Sequence, residues 1–212
     1  TNRDVLDPDL PLEIRIRTDP EQKILEFSDT GIGMTAEELT ENLGTIAHSG
    51  ARSFIEAAKD SQQDLSNLIG QFGVGFYSAF MVAEWIRVTS RSFRPEAEAA
   101  AWFSTGSDTY HIEPAEREKR GTTVTVKLKE DAAEYAEASR LRDVIRRHSD
   151  FIPYPIYLND ETEQVNRQTA LWRQSPRETD ENEYAEFYKQ FTLDFEEPLA
   201  HAHMVVDAPV QM

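Results

Sequence analysis

The first part of the chain alternates hydrophobic and polar residues in two short runs. Residues 12–17 and 23–28 place apolar side chains mostly at every second position, and a polar segment with Asp19 and Pro20 separates them. Such alternation is typical of half-buried strands, and a short polar connection between two of them is typical of a hairpin. The pattern therefore predicts an antiparallel hairpin, with Asp29 just beyond its second strand.

Other patterns predict helices and further strands in the next 130 residues. Thr35-Ala36-Glu37-Glu38 has the spacing of a capping box and predicts a helix that reaches about Leu43. Strands are predicted at 85–90 and 122–128, with weaker ones near Trp102 and Tyr110, a helix at 134–148, and an edge strand at 151–158. Helices with a mostly antiparallel sheet predict an α+β two-layer sandwich that ends near residue 160.

Two other segments differ in composition from this sandwich. Residues 44–69 carry few large apolar side chains and predict a loop with short helices, for which an ordinary surface connection is one interpretation. Residues 159–166 are polar and acidic and predict a linker, after which residues 182–191 place four aromatic side chains at helical spacing. We interpret this aromatic stripe mainly as core, with a binding surface as the alternative. We expect one domain at 1–160 and the beginning of another at 161–212.

The segment Asp29-Thr30-Gly31-Ile32-Gly33-Met34 has the features of a turn that contacts a purine. A carboxylate only accepts hydrogen bonds, so it favours the amino group of adenine over the carbonyl oxygen of guanine. Gly31 and Gly33 let the backbone approach a flat ring, and Met34 supplies a polarizable apolar contact. An ordinary Asp-Thr-Gly turn is the competing interpretation.

A second glycine-rich turn, Gly70-Gln-Phe-Gly-Val-Gly-Phe76, leads into a predicted buried helix that starts near Gly73. Exposed N–H groups at the first turn of a helix bind phosphate oxygens without any charged side chain. The phosphate-loop pattern G-x-x-x-x-G-K-[ST] is absent from the sequence, which argues against that class of ATPase. Glycines that permit close helix packing are the alternative explanation.

Taken together, these motifs resemble the heat-shock protein 90 chaperone family in its bacterial form. The matching segments are DTGIGM at Asp29, ENLGTIAHSG at Glu41, IGQFGVGFYSAFMVA at Ile69, RGTTVTVKL at Arg120 and TALWRQSPRETDENEYAEFYKQ at Thr169. They follow the order of the family and cover nearly the whole chain. The first motif alone also fits histidine kinases, type II topoisomerases and mismatch-repair ATPases, but the second one does not.

The resemblance implies a binding site for ATP or ADP with Mg²⁺. It implies that Asp29 binds the adenine amino group, that Gly33 and Thr122 hold the base through water, and that Asn42 lies near the ribose. It further implies apolar walls and a phosphate-binding backbone, formed by Met34, Gly73, Val74, Gly75 and Phe76. Residues 44–69 would then be the lid over the nucleotide, in which His48 replaces the usual Lys or Arg. A mostly neutral imidazole contributes less charge toward a phosphate.

The resemblance also implies an incomplete catalytic apparatus. In this family a helix before the first motif supplies the general base and a magnesium ligand, and a later arginine reaches the terminal phosphate. We find no counterpart of these residues, so the chain resembles an internal fragment with no catalytic and no metal-binding residue of its own. We expect no useful ATP hydrolysis from it.

Composition narrows the range of partners. The 212 residues carry a formal net charge of −17, which opposes binding to nucleic acid. Cysteine is absent, no apolar run reaches the length of about 18 residues that a membrane span needs, and no signal sequence is visible. These features agree with a protein of the cytoplasm, and the resemblance further implies a stress-response protein whose parent is a homodimer that binds unfolded client proteins.

Two other functions remain open at this point. The same pocket could serve a nucleotide-dependent kinase or a DNA-topology ATPase, although the acidic composition and the segment from Gly44 to Gly50 argue against both. A chaperone module that binds clients without nucleotide is the third hypothesis. Phosphate transfer, DNA binding and ATP-dependent suppression of client aggregation distinguish the three.

Overall fold

The computed structural model describes residues 5–44, 75–107, 109–174, 177, 179–192, 194 and 196–203. Within these residues the central element is a seven-stranded sheet. Its strands are β1 (Ile14–Asp19), β2 (Ile24–Asp29), β3 (Ala83–Arg91), β4 (Ala100–Ser104), β5 (His111–Pro114), β6 (Gly121–Leu128) and β7 (Ile156–Leu158). The spatial order is β5-β4-β3-β6-β2-β1-β7, and every pair is antiparallel except β1 with β7.

Helical segments connect and cover these strands. The α-helices are α1 (Ala36–Leu39), α2 (Ala138–His148) and α3 (Glu181–Thr192). A π-helical turn (Thr40–Gly44) continues α1, and short 3₁₀ helices span Gly75–Met81, Glu130–Ala136 and Leu171–Arg173. No helix in the described part of the chain is long and apolar enough to cross a membrane.

The hydrophobic core lies on one face of the sheet, as strand alternation requires. Ile86 and Val88 of β3 lie opposite Val126 and Val124 of β6, and Trp102 of β4 lies opposite Val88. These strand residues form one cluster with buried helical residues, which are Leu39, Tyr77, Phe80, Leu141 and Ile145. One sheet layer with one helical layer confirms the predicted α+β sandwich.

The hairpin and the capping box agree closely with the sequence prediction. β1 and β2 pair in register from Ile14 with Asp29 to Asp19 with Ile24. Thr35 caps α1, because its side chain accepts from the backbone of Glu38 while the Glu38 carboxylate accepts from the backbone of Thr35. The regular helix ends at Leu39, however, and the π-helical turn takes its place up to Gly44.

The predicted buried helix near Gly73 is a 3₁₀ helix over its described residues. Tyr77 and Phe80 are both nearly fully buried. A three-residue repeat places residues i and i+3 on the same side, so the 3₁₀ form directs both rings into the core. Lys129 then donates hydrogen bonds of 2.9 Å to the carbonyls of Phe80 and Met81 and so satisfies acceptors at the end of this helix.

Two later predictions also differ from the structure. The helix predicted at 134–148 is divided at Glu137, whose extended backbone separates a 3₁₀ helix from α2 and lets Leu141 and Ile145 face the core. The segment 159–166 is not a free linker, because Asn166 is 2 % exposed and bonds with the backbone of Ile152, Tyr154 and Ile156. These bonds fasten the segment to the edge strand β7.

Candidate functional site

Asp29 ends β2 and directs one carboxylate oxygen back to the protein. Its Oδ1 atom accepts from the backbone N–H of Gly31 at 2.7 Å and from that of Thr122 at 3.3 Å. Among the residues that the structure describes, no hydrogen bond to Oδ2 is present. The first interaction forms the Asp-Thr-Gly turn, and the second ties it to β6.

A buried serine lies beside this turn. Ser90 of β3 is fully buried, and its hydroxyl accepts from the backbone N–H of Met34 at 2.8 Å. The same hydroxyl donates to the carbonyl oxygen of Gly121 at 3.1 Å and lies 2.8 Å from the hydroxyl oxygen of Thr122. One side chain therefore joins β3, β6 and the backbone that follows the first glycine turn.

Two glycines permit the close approach of these segments. Gly33 has a φ of +61°, and a Cβ atom there would lie 1.8 Å from the carbonyl oxygen of Arg91. Gly121 has a φ of +118°, and its Cβ would lie 2.2 Å from the carbonyl oxygen of Asp29. Both positions exclude side chains, for steric and conformational reasons.

Arg120 holds the outside of the Asp29 turn. This arginine is 7 % exposed, and its guanidinium donates to the carbonyl oxygens of Thr30, of Gly31 at 2.8 Å and of Leu10 at 3.1 Å. It also donates to the carbonyl of Asp7 at 3.3 Å. Because several partly buried carbonyls share one guanidinium, the turn and residues 7–10 are fixed relative to β6.

Two further arginines support the same region. Arg117 donates to the carbonyl oxygen of Asp29 at 2.9 Å and to the hydroxyl of Thr123. Arg91 donates to the carbonyl oxygens of Arg117 and Glu118 at 2.9 and 2.7 Å. Burial lowers the pKa of the Arg117 guanidinium, and the negative charges of Asp29 and Glu26 act in the opposite direction. Arg117 thus binds the backbone of the turn at Asp29, and Arg91 holds the backbone of the segment that carries Arg117.

The remaining described candidates lie on the helical side of the sheet. Met34 and Phe76 are partly buried and pack against the core cluster. The Asn42 amide approaches the Met34 sulfur at 3.8 Å. Phe76 forms an edge contact with Trp102, with a centroid distance of 5.8 Å. Asn42 is therefore adjacent to Met34, whereas Phe76 has contacts with the aromatic core.

A cavity of about 320 Å³ opens beside Asp29. Its lining is mostly apolar or backbone, from Leu12, Glu13, Ile14, Asp29, Thr30, Gly31, Ile32 and Tyr154. Ligand sites combine such apolar walls with a few polar groups that fix orientation. Asp29 is the one predicted site residue in this lining, and the other described candidates, which are Gly33, Met34, Asn42, Gly75, Phe76 and Thr122, lie outside it.

The structure brings Met34 and Thr122 to the Ser90 hydroxyl and joins Asp29 to Thr122. It places Gly33 against the Arg91 carbonyl and Asn42 next to Met34. Several predicted positions lie outside the described residues. They are Gly73, Val74, nearly all of the predicted lid, and His48, which stands where the family usually has Lys or Arg. Within the described ranges, no group of three or more His, Asp or Glu side chains is arranged to hold a metal ion.

The sequence prediction did not include Ser90, Gly121 or Arg120 among the site residues. A signal for Ser90 exists, since it continues the alternation of Ile86 and Val88 and so places a hydroxyl on the core face. No comparable signal marks Arg120, because its partners are backbone carbonyls in distant segments. These residues shape the turn without needing to contact a ligand.

Comparison with known proteins assigns both parts of the chain to related families. Residues 11–137 match the histidine kinase-, DNA gyrase B-, and HSP90-like ATPase family, and residues 158–212 match the Hsp90 protein family. The ATPase-type domain agrees with the observed α+β fold.

Individual relatives are similar over nearly the full chain. The chaperone protein HtpG of Desulfitobacterium hafniense is 46 % identical over 214 residues, covering 100 % of this chain and 34 % of the relative. HtpG of Myxococcus xanthus is 44 % identical over 226 residues, covering 100 % and 35 %. The mitochondrial heat shock protein 75 kDa of Rattus norvegicus is 41 % identical over 201 residues, covering 95 % and 28 %. The chain spans about a third of these relatives, and it belongs to the Hsp90 chaperone family.

Proposed function

We propose that this chain is the adenine-nucleotide-binding region of a molecular chaperone. The observation that carries the proposal is the Asp29 carboxylate, which Gly31 and Thr122 fix through Oδ1 and whose Oδ2 accepts no hydrogen bond from the described residues. A fixed acceptor beside an apolar cavity suits the amino group of adenine. The Hsp90 family membership and the similarity to HtpG chaperones support the same conclusion.

The remaining site residues have proposed roles around this contact. Gly33 and Thr122 hold the base, Met34 and Phe76 form apolar walls, and Asn42 lies near the ribose. Gly73, Val74 and Gly75 bind phosphates through their backbone N–H groups, as at other helix N-termini. Mg²⁺ accompanies the nucleotide, and residues 44–69 close over it as a lid. None of the described residues receives a catalytic role.

For the whole protein we propose a cytoplasmic homodimer that assists protein folding under stress. ATP binding and hydrolysis would drive lid and clamp closure around unfolded client proteins. We divide the chain into a nucleotide-binding domain at 1–160 and the beginning of a middle domain at 161–212. The net charge of −17 supports a soluble protein that does not bind nucleic acid.

The test is calorimetric titration of magnesium-ADP into the chain and into Asp29→Asn. Asparagine places an amide N–H₂ group where a carboxylate would accept, so we expect binding to the unchanged chain and a loss of at least about tenfold in the variant. Asp19→Asn is the matched control, because Asp19 also ends a strand and accepts from a nearby backbone N–H, that of Gln22 at 2.8 Å. The control should bind as the unchanged chain does.

Two results would contradict the proposal. One is the absence of any heat or displacement signal for ADP in the unchanged chain. The other is equal affinity in Asp29→Asn and Asp19→Asn. Transfer of radiolabelled phosphate to the protein, or binding to duplex DNA, would instead favour the kinase or DNA-topology function that the shared ATPase family also contains.

A further inference from the structure

The seven-stranded sheet has a second face, opposite the hydrophobic core. Residues that pair across neighbouring strands share a face, so the partners of Arg87 show where this second face lies. Arg87 pairs with Phe103 of β4 and with Thr125 of β6. Thr125 pairs with Glu26 of β2, which pairs with Arg17 of β1. We call these positions, and those that alternate with the core positions along each strand, the outer face.

The charge of the outer face differs in sign from that of the whole chain. Its strand positions carry three acidic side chains, which are Asp19, Glu26 and Glu113. They carry five basic side chains, which are Arg15, Arg17, Arg87, Arg91 and Lys127. The chain as a whole has a formal net charge of −17. Positive charge is therefore concentrated on one face of an acidic protein.

Three of these basic side chains form no ion pair within the described ranges of the chain. They are Arg17, Arg91 and Lys127. Arg91 instead donates to two backbone carbonyls, and its Nε atom is buried without a hydrogen-bond partner. Arg117 adds a further guanidinium, which reaches the hydroxyl of Thr123 on the same face and has no carboxylate partner among the described residues. The positive charge of the outer face is thus only partly neutralised by carboxylates.

Aromatic side chains lie among these charges. Trp85 and Phe103 are half-buried next to Arg87, and their ring centroids are 5.8 Å apart. Farther along the sheet, the Arg15 guanidinium lies 4.7 Å from the ring centroid of Tyr157. Aromatic residues and arginine are enriched in protein interfaces and among the residues that dominate their binding energy. The outer face therefore has the composition of a surface that binds another polypeptide.

The spacing of the unpaired basic groups fits a short extended segment. Arg17 and Lys127 are separated by two strand intervals of about 4.8 Å and by two residues along the strand, so their backbones lie about 12 Å apart. About four residues of extended chain span that distance. A depression of about 550 Å³ lies beside them on β3 and is lined by Arg87, Thr89, Pro114, Ala115 and Glu116. It offers room for a side chain of a bound segment.

We propose that the outer face is a docking surface for an acidic segment of a partner protein, whose carboxylates pair with Arg17, Arg117 and Lys127. An apolar side chain of the same segment covers Trp85 and Phe103. Complementary charge selects the partner and speeds its approach, and salt screens it. Nucleic acid is also anionic, but the acidic remainder of the chain repels a long polyanion. This inference goes beyond the proposed nucleotide-binding function and does not depend on it.

The test is fluorescence anisotropy of a labelled peptide of about twelve residues, rich in Asp and Glu with one Phe, which is long enough to cross the face. A second peptide has Asn and Gln in place of the acidic residues. The acidic peptide should bind at least about tenfold more tightly than the amide peptide at about 0.05 M salt. This difference should shrink at about 0.5 M salt, where exposed charges are screened.

The double variant Arg17→Glu and Lys127→Glu tests the surface itself. Reversal of two unpaired charges should weaken binding of the acidic peptide by at least about tenfold. The matched control is Arg146→Glu with Arg147→Glu, which changes the net charge equally at two exposed side chains of α2. It should bind the peptide within about twofold of the unchanged chain. Arg17→Gln removes one charge without reversal, so it should give a smaller loss and replaces the double variant if that variant does not fold.

Three results would overturn the inference. The first is no binding of the acidic peptide to the unchanged chain at low salt, or equal binding of both peptides. The second is an equal loss of affinity in the outer-face variant and in the α2 control, which would mean that only the net charge matters. The third is tighter binding of a single-stranded oligonucleotide of similar length, which would assign the face to nucleic acid.

Discussion

Two buried serines of the sheet, Ser90 and Ser104, take part in different kinds of structure. Ser104 bonds with Gly106 and Thr109, which lie two and five residues away, and so closes the turn between β4 and β5. Ser90 bonds with Gly121, Thr122 and Met34, which lie 31, 32 and 56 residues away. The first region is a local turn, whereas the second is assembled from three distant segments.

This difference indicates where function resides. A buried hydroxyl that bonds only with the backbone of a nearby turn depends on local sequence alone, and its removal alters only the loop between two strands. A hydroxyl that joins three segments fixes the relative positions of groups that a ligand could contact. The Asp29 region therefore combines a constrained backbone with the carboxylate oxygen Oδ2, which accepts no hydrogen bond within the described part of the chain. The Ser104 region has only the constrained turn.

The largest expected effect is a loss of stability when a glycine is replaced. One glycine from each region is compared, Gly33 near Asp29 and Gly106 next to Ser104. Gly33→Ala places a Cβ 1.8 Å from the Arg91 carbonyl, whereas Gly106→Ala places one 2.9 Å from the Phe80 ring. A backbone oxygen within a strand cannot move away as a side chain can. We expect Gly33→Ala to lower the free energy of unfolding by at least about 4 kcal/mol, and Gly106→Ala by about 2 kcal/mol.

Chemical denaturation of the two glycine variants measures this difference. Gly33→Ala should also abolish ADP binding, while Gly106→Ala should retain it below its unfolding midpoint. Equal destabilisation would show that the two turns are equally constrained and would contradict the comparison.

The next largest expected effect is a loss of stability when an arginine side chain of the Asp29 region is removed. Arg120 is buried and donates to backbone carbonyls of the Asp29 turn and of residues 7–10, so Arg120→Met leaves these acceptors unsatisfied. We expect a loss of about 3 kcal/mol of unfolding free energy. Arg87 is a control on the solvent face of β3, where it pairs with Glu113 at 2.6 Å with both side chains well exposed.

Arg87→Met should change the unfolding free energy by less than about 1 kcal/mol, as is typical of exposed ion pairs. Denaturant titration of both variants provides the comparison, and ADP affinity should fall only in Arg120→Met. A similar, small effect in both would mean that the turn keeps its geometry without the Arg120 guanidinium.

The two serine variants are expected to differ in binding but not in stability. Ser90→Ala and Ser104→Ala each remove one buried hydroxyl with two or three hydrogen bonds, so each should lower the unfolding free energy by about 1–3 kcal/mol. Thermal unfolding without nucleotide should give similar midpoints. A markedly lower midpoint for Ser90→Ala would assign the residue a predominantly structural role.

The smallest effect is a pH dependence near the site. The N–H of Thr35 and the guanidinium of Arg94, which donate hydrogen bonds to Glu38, hold the pKa of that carboxyl below its usual value. A lowered pKa in the folded state means that the stabilisation is present above the unfolded pKa and is lost as the pH falls through the folded pKa.

Thermal unfolding between about pH 3 and pH 6 measures the Glu38 contribution, since glutamate titrates near 4.3 in unfolded chains. Glu38→Gln keeps a capping side chain but removes the titration, so its midpoint should depend less steeply on pH than that of the unchanged chain. Identical slopes would show that the Glu38 interactions with Thr35 and Arg94 are too weak to matter.

Local signals predicted much of the fold because they depend on neighbouring residues. The alternation in residues 12–28 predicted the hairpin, and the spacing of Thr35 and Glu38 predicted the capping box. The apolar run that starts near Gly73 predicted a buried helix, and the described segment Gly75–Met81 is helical with Tyr77 and Phe80 buried, although its form is 3₁₀. The periodicity of apolar residues indicates a helix but does not determine its type.

Long-range pairing explains what the sequence did not predict at the site. Asp29, Gly33 and Thr122 could be identified by motif, but their connection depends on β6 lying between β2 and β3 in the sheet. That order brings Ser90 to Thr122, and it brings Arg120 to the turn from 90 residues away. No pattern within a short window encodes such neighbours.

A crystal structure of the chain with magnesium-ADP tests the central claim most directly. The account predicts that the 6-amino nitrogen lies about 2.7–3.2 Å from Oδ2 of Asp29, with the Thr122 hydroxyl oxygen on the same edge of the base, directly or through water. A base bound elsewhere, or one whose amino group lies beyond hydrogen-bond distance of Asp29, would contradict the assignment of this turn as the adenine site.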